Sequence, residues 1–383
     1  MRPGHELDAV PTVFEMKRVL VLTAGFGEGH NTAARSIREA LEATGEAEVL
    51  VSDLYAETIP FVNSTVKKGY SIAINRLPWI WRAIFIGLDR PGWMESAMWT
   101  TGKLRAALDR KLAAFRPDVV VSTYPIYAYL FRKIQRSRLG ANMPFITVVT
   151  DSVAVNTAWH RCLSDAFIVT DEITADLLRA RGLPADIVHP LGFPVSRSFS
   201  NAETLPATAS APWKVLFMPS TQLHRTLHQI EALTSLPDVE LTVVTGRHPR
   251  VFDAVKESGL LGEGKGRLIG WTDAMPRLLC EHHVFIGKAG GAIVQEALAA
   301  RCPFIVSHVV PGQEEGNIEL VERLGVGTTA LGRPENLADA VQRAFADDAK
   351  QWREWKRNLE KCSLPNAADA VARFALDFTV PMR

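Results

Sequence analysis

Short apolar runs, separated by stretches in which apolar residues recur every three or four positions, set the pattern of this 383-residue chain. In the first half the runs fall at residues 18–24, 48–53, 118–123, 145–150 and 166–170. In the second they fall at 214–218, 240–245, 267–270, 284–287 and 303–307. Runs of this kind predict strands buried on both faces. The helical spacing between several of them, as in Ala33, Ala34, Ile37, Ala40 and Leu41, predicts helices covering parallel sheets. Residues 196–212, polar and carrying alanine and proline, separate the two series and read as a linker. The expected class is α/β, with two Rossmann-like domains at residues 1–195 and 213–365 and a terminal helix in 366–383.

Candidate chemistry sits where these runs end. Gly25, Gly27 and Gly29 follow the first run and lead into a helix through His30, the opening of an α/β nucleotide fold. In the second half Gly290, Gly291 and Ala292 open a predicted helix, whose unpaired N–H groups and positive dipole suit a diphosphate. Glu296 lies about a turn and a half further along, and its carboxylate suits a vicinal diol such as ribose. After the next run, Gln313, Glu314 and Asn317 can address hydroxyl groups. Ser220 and Thr221 offer hydroxyls, and Arg247 and Lys288 offer positive charge near the phosphates or at a solvated surface. The set suits a nucleotide sugar. Asp151 ends the fourth run, where it either caps a turn or delivers a carboxylate to the cleft.

The segment GKAGGAIVQEALAARCPFIVSHVVPGQEEGN (287–317), with GEGHNTAARSI at 27–37 and TDSVAVNTAW at 150–159, resembles family 28 glycosyltransferases of the monogalactosyldiacylglycerol synthase and processive diacylglycerol glucosyltransferase type. The sequences DAFIVTDE and RGLPADIVHPLGFPV continue the likeness through the first half. The resemblance implies a GT-B fold, two Rossmann-like domains facing a central cleft with the C-terminal helix crossing back to the first. It implies that the KAGG stretch and its helix hold UDP, that Glu296 binds ribose, and that Gln313, Glu314 and Asn317 hold the donor sugar. It places His30 toward the reaction centre, beside the loop of Gly27 and Gly29. Three departures stand out. Val155 and Asn156 occupy the place of a common histidine, residues 218–226 contain no glycine, and Ile293 replaces a common threonine.

Charge is nearly balanced, Lys plus Arg at 43 against Asp plus Glu at 42, which gives no footprint for nucleic acid. The four cysteines are scattered at 162, 280, 302 and 362, without metal or redox spacing, and fit a reducing cytoplasm. The first residues lack a leader-type apolar region, and no run of eighteen apolar residues occurs. Residues 66–99 are unusual. An almost wholly apolar run at 77–88 carries Trp79 and Trp81 and is followed by Trp93, with Lys67, Lys68, Arg76 and Arg82 around it and no acidic residue between 58 and 88. Tryptophan beside basic residues suits the headgroup boundary of an anionic membrane, and interior helices with snorkelling arginines are the other use of such a stretch.

The expected function is inverting transfer of a hexose from UDP-glucose or UDP-galactose to a lipid hydroxyl, that of diacylglycerol, on the cytoplasmic face of a membrane. His30 is the first choice of base, with Asp151 its alternative or its orienting partner. Neither a cofactor nor a catalytic metal is expected, in keeping with a sequence that lacks a DxD element. Two other readings use the same residues: a GT-B transferase with a soluble acceptor or a sugar-nucleotide 2-epimerase, and a non-catalytic sugar-nucleotide-binding protein.

Overall fold

The computed structural model describes residues 16–60, 101–137, 143–161, 164–262, 264, 266–312 and 314–379. Gln313 and the tryptophan-rich stretch with Lys67, Lys68, Arg76, Trp79, Trp81, Arg82 and Trp93 lie outside the described residues.

The first half runs β1 (Lys17–Thr23), α1 (Glu28–Thr44), β2 (Ala47–Asp53), α2 (Leu54–Thr58), α3 (Gly102–Phe115), β3 (Val119–Ser122), α4 (Ile126–Ser137), β4 (Phe145–Val148), α5 (Thr157–His160), β5 (Ala166–Ile168), α6 (Glu172–Ala180) and β6 (Val188–His189). Its strands form one parallel sheet in the order β2-β1-β3-β4-β5-β6. Alternation along β1 explains why the run reads as continuously apolar. Leu20 and Leu22 join a core under α3 and α4, while Val19 and Val21 point the other way, against Ala34, Ile37 and Leu41 of α1. Each of these four strand side chains is fully buried and contributes about 1.5–3 kcal/mol through the apolar surface it removes from water.

The second half repeats the design with β7 (Trp213–Phe217), α7 (Leu223–Thr234), β8 (Val239–Val244), α8 (Pro249–Glu257), β9 (Gly266–Ile269), α9 (Met275–Glu281), β10 (Val284–Lys288), α10 (Gly291–Ala299), β11 (Phe304–His308), α11 (Glu315–Arg323) and β12 (Gly327–Thr329). The order β12-β11-β10-β7-β8-β9 is that of a doubly wound nucleotide fold. The helix α12 (Glu335–Cys362) follows, interrupted by non-helical backbone at 346–349, and then α13 (Ala367–Asp377). The last of these returns to the first sheet. Ala368, Val371, Ala372 and Ala375 complete the core over Val19 and Val21, Lys17 Nζ donates to the Leu376 carbonyl at 2.6 Å, and Arg373 forms a two-pronged pair with Glu46.

The ten strands expected from the sequence are present within a residue or two of the expected bounds; β6 and β12 are additional. Residues 196–212 are not a free spacer. Phe199 is buried in the second half's core, the Leu205 N–H donates to the Cys280 carbonyl, and Arg353 donates to the Ala207 carbonyl at 2.6 Å. In each sheet the strand order reverses beside the first strand of that half, between β1 and β3 and between β7 and β10. A crevice opens where neighbouring connections leave in opposite directions. The two glycine-opened helices α1 and α10 start at those points.

Candidate active site

The starts of α1 and α10 meet. A Cβ built on Gly29 would stand 4.0 Å from the Ala292 amide nitrogen, and one on Gly291 would stand 3.4 Å from the Thr150 carbonyl oxygen. Gly27 is the N-cap of α1, and a Cβ there would approach only the His30 ring, at 3.9 Å. Two positive helix ends therefore face one cleft.

His30 stands beside this junction. Its Nδ1 is 2.8 Å from the Thr123 carbonyl and 2.9 Å from Thr150 Oγ1. A carbonyl only accepts, so Nδ1 carries the proton and Nε2 keeps its lone pair; Nε2 makes no hydrogen bond among the described residues. Burial holds the imidazole pKa down to about 4, against the opposing effect of the Thr123 bond, so the ring is neutral at pH 7. Tyr124 meets it edge-on at 5.1 Å between ring centres, and Trp159 lies at 5.9 Å.

Asp151 follows β4. Its Oδ2 accepts from Trp159 Nε1 at 2.7 Å, and burial raises its pKa to about 6 even with that bond pulling it down. Asp151 does not orient His30 as one sequence expectation had it. Thr123 and Thr150 hold the imidazole, and Asp151 is tied to the indole that flanks the ring. Neither threonine was anticipated.

A cavity of about 510 Å³ opens between α1 and the second half, lined by Thr32, Arg35, Ser196, Arg247, Trp271 and Glu296 among others. Glu296 is half-buried in its wall; desolvation raises its pKa to about 7, with the Arg35 charge pulling the other way. Trp271, absent from the sequence expectations, exposes 59% of its surface at the rim, and the Arg247 guanidinium lies 5.1 Å from its ring centre. An exposed indole held by a cation, in the same cavity as a half-buried carboxylate, offers a flat base a stacking face and a ribose an acceptor.

The loop after β11 and the first turn of α11 are held by bonds within the protein. Glu314 is buried, with Oε1 2.5 Å from Lys288 Nζ at the end of β10 and Oε2 accepting from the Val310 N–H of the loop at 2.8 Å, so both oxygens are bonded within the protein. Asn317 donates from Nδ2 to the Ala289 carbonyl at 2.8 Å and clamps the KAGG turn. Both side chains satisfy groups of the protein before any sugar hydroxyl, as buried polar atoms must. Lys288 is correspondingly half of an ion pair. Arg225 of α7, which follows the loop of Ser220 and Thr221, donates to the Ser307 carbonyl at 3.3 Å. His308 beside it is held near a pKa of about 4 by burial and by the charges of Lys288 and Arg225.

The sequence profile of the monogalactosyldiacylglycerol (MGDG) synthase family matches residues 30–195. Over nearly the whole chain the sequence is similar to processive diacylglycerol beta-glucosyltransferases. That of Bacillus licheniformis is 26% identical over 93% of this chain and 93% of its own length. That of Bacillus cereus is 27% identical over 92% of each. Among solved structures, MurG of Acinetobacter baumannii superposes with a TM-score of 0.61 at 14% identity, covering 94% of this chain and 100% of its own. A UDP co-structure of MnaA from S. aureus superposes with a TM-score of 0.61 at 12% identity, covering 96% and 99%. At these identities the superpositions establish the fold, which is GT-B. The MGDG synthase match begins at His30 and ends at Val195, so it contains His30, Thr150 and Asp151 but stops short of Glu296 and the donor loop.

Proposed function

We propose that this chain is an inverting glycosyltransferase that moves a hexose from a UDP-sugar to a diacylglycerol hydroxyl. The observation that carries this reading is the meeting of a neutral, oriented His30 and the carboxylate of Asp151 with the start of α10 in one cleft. The full-length similarity to diacylglycerol glucosyltransferases supplies the acceptor class. Solved neighbours include a UDP-GlcNAc 2-epimerase from Neisseria meningitidis bound to UDP-GlcNAc, at a TM-score of 0.59 and 14% identity, so the fold by itself favours neither transfer nor epimerisation. The curated relatives favour transfer.

In this reading uracil stacks on Trp271 and the ribose hydroxyls donate to Glu296. The diphosphate lies at the amide end of α10 with Arg225 and Lys288 near it. The acceptor hydroxyl loses its proton to His30 Nε2 as its oxygen attacks the anomeric carbon and the C–O bond to UDP breaks. Ionised Asp151 stabilises the imidazolium and the positive character at the sugar, and the α10 amides and cations take up the negative charge of UDP. The leaving group is neutralised without a divalent ion in this scheme. Glucose is the donor sugar favoured by the relatives' names. Attachment to an anionic bilayer through the stretch around Trp79, Trp81 and Trp93 would bring the cleft to its acceptor. The test is incubation with diacylglycerol vesicles and UDP-glucose or UDP-galactose, with and without EDTA. A glycolipid of inverted anomeric configuration, formed in both conditions, is the expected product. Release of free UDP and 2-epimerised sugar without glycolipid would overturn the reading.

A further inference from the structure

Val153, two residues beyond Asp151, has its backbone in the left-handed region at φ 58°. A β-branched residue there is strained, and such strain persists only where the surroundings over-determine it. They do so here from both halves. The Val153 side chain is 2% exposed and belongs to the second half's core with Val294 and Leu298, although β4 and its loop come from the first sheet. Its N–H donates to Thr174 Oγ1 at 3.1 Å. Ser152 Oγ donates to Thr170 Oγ1 at 3.1 Å and accepts from Gln295 Nε2 at 3.0 Å. Asp171 in turn accepts from the hydroxyls of both threonines, at 2.6 and 3.0 Å.

Gly316 supplies the seat. A Cβ there would lie 2.6 Å from the Ala154 nitrogen and 2.7 Å from the Ala154 Cβ, and would press on the Ser152 carbonyl oxygen. Only glycine admits this loop. Gln295 is the neighbour of Glu296 on α10, and Gly316 precedes Asn317 in the first turn of α11.

We propose that Val153 is a positioning residue for the transfer reaction: wedged into the donor-binding half, in a loop whose Ser152 and Ala154 rest on Gly316, it locks the Asp151 carboxylate to that half. This rests on the reading that Asp151 acts in transfer. The loop is thus a mechanical link in which the donor side, rather than the first sheet alone, fixes where the carboxylate stands.

Two substitutions test it by different routes. Gly316→Ala puts a methyl group into the seat, whereas Val153→Gly removes the wedge and accepts the same φ without strain. In both, kcat is expected to fall on the order of tenfold to a hundredfold, as for a misplaced catalytic group, while UDP affinity by calorimetry stays within about threefold of wild type. Retention of kcat in Val153→Gly would overturn the proposal. So would a loss of UDP affinity equal to the loss of kcat, which would mark the loop as a structural support of the donor site. Asp151→Asn in the same assay separates the levels. If it abolishes transfer while Val153→Gly is fully active, the wedge is rejected and the reading of Asp151 stands; if it is itself fully active, the underlying reading of Asp151 fails.

Discussion

Thr150 Oγ1 lies 2.9 Å from His30 Nδ1, a contact between the end of β4 and the first turn of α1 that joins residues 120 positions apart. With the Thr123 carbonyl at 2.8 Å on the same nitrogen, it fixes both the tautomer and the plane of the imidazole. The side chain that would take the acceptor's proton is therefore held by neutral partners, in contrast to the carboxylate-held histidine of hydrolase triads.

Removing the Thr150 hydroxyl tests that orientation. Thr150→Val keeps the volume but loses the bond, and kcat is expected to drop by roughly tenfold, about 1.4 kcal/mol of transition-state stabilisation, with UDP affinity nearly unchanged. Thr150→Ser should restore most of the activity. Steady-state kinetics with diacylglycerol vesicles read both variants.

The acid side of the pH–rate profile distinguishes the two candidate catalytic groups. His30 is neutral above a pKa of about 4, whereas Asp151 becomes ionised only above about 6. If transfer needs the Asp151 carboxylate, kcat falls as pH drops through about 6, and Asp151→Asn lowers activity while removing that limb. A limb that stays in place in Asp151→Asn would assign it to another group.

Donor binding should release a proton. Glu296 is half protonated at about pH 7 because burial disfavours its charge, and ribose hydroxyls donating to it favour the carboxylate. Binding then lowers the Glu296 pKa, so UDP affinity is highest above about pH 7 and declines as pH falls through it. Glu296→Gln should weaken UDP binding by about 1.5–3 kcal/mol at high pH and flatten this dependence. Calorimetric titration across pH measures both.

Gly192 turns the chain at φ 96° where it passes under α13, and a Cβ there would stand 2.8 Å from the Ala367 Cβ. Gly192→Ala should cost on the order of 1–3 kcal/mol of stability through backbone strain and displacement of α13. A thermal melt unchanged from wild type would contradict that placement.

Membrane attachment is tested through Lys67, Lys68 and Arg76. Their joint replacement by glutamine should weaken sedimentation with anionic vesicles, each charge being worth on the order of 1 kcal/mol near the surface, and leave UDP affinity unchanged. Added salt should weaken the wild type in the same direction. Equal, salt-insensitive binding to neutral and anionic vesicles would remove the electrostatic contribution.

Much of the fold was legible because a strand buried on both faces leaves an unmistakable run, as in Val19–Leu22 or Val284–Ile286. The two strands that went unread are short and weakly apolar: Val188–His189 has two residues, and Gly327–Thr329 has a glycine and two threonines. The glycine loops and Glu296 were legible because a local pattern carries them. Thr123, Thr150 and Arg225 were not, since their partners are 93, 120 and 82 positions away and two of the three bonds use a backbone carbonyl, which has no signature in sequence. Glu314 and Asn317 also carry bonds within the protein that their spacing does not show. A polar loop over a buried turn must satisfy its own backbone before it can serve a ligand, and spacing alone does not show which groups that leaves.

The return of α13 to the first sheet means that the polypeptide crosses between the halves twice, near 196 and again near 364, with Arg197 bonded to Asp369 at 2.8 Å between the crossings. A body joined to another at two neighbouring points can swing about the line through them but cannot swivel freely, much as a door hung on a pair of hinges opens in one sense only. Any opening of the nucleotide crevice is thereby restricted to one arc, and every return along it brings the start of α1 back to face the start of α10.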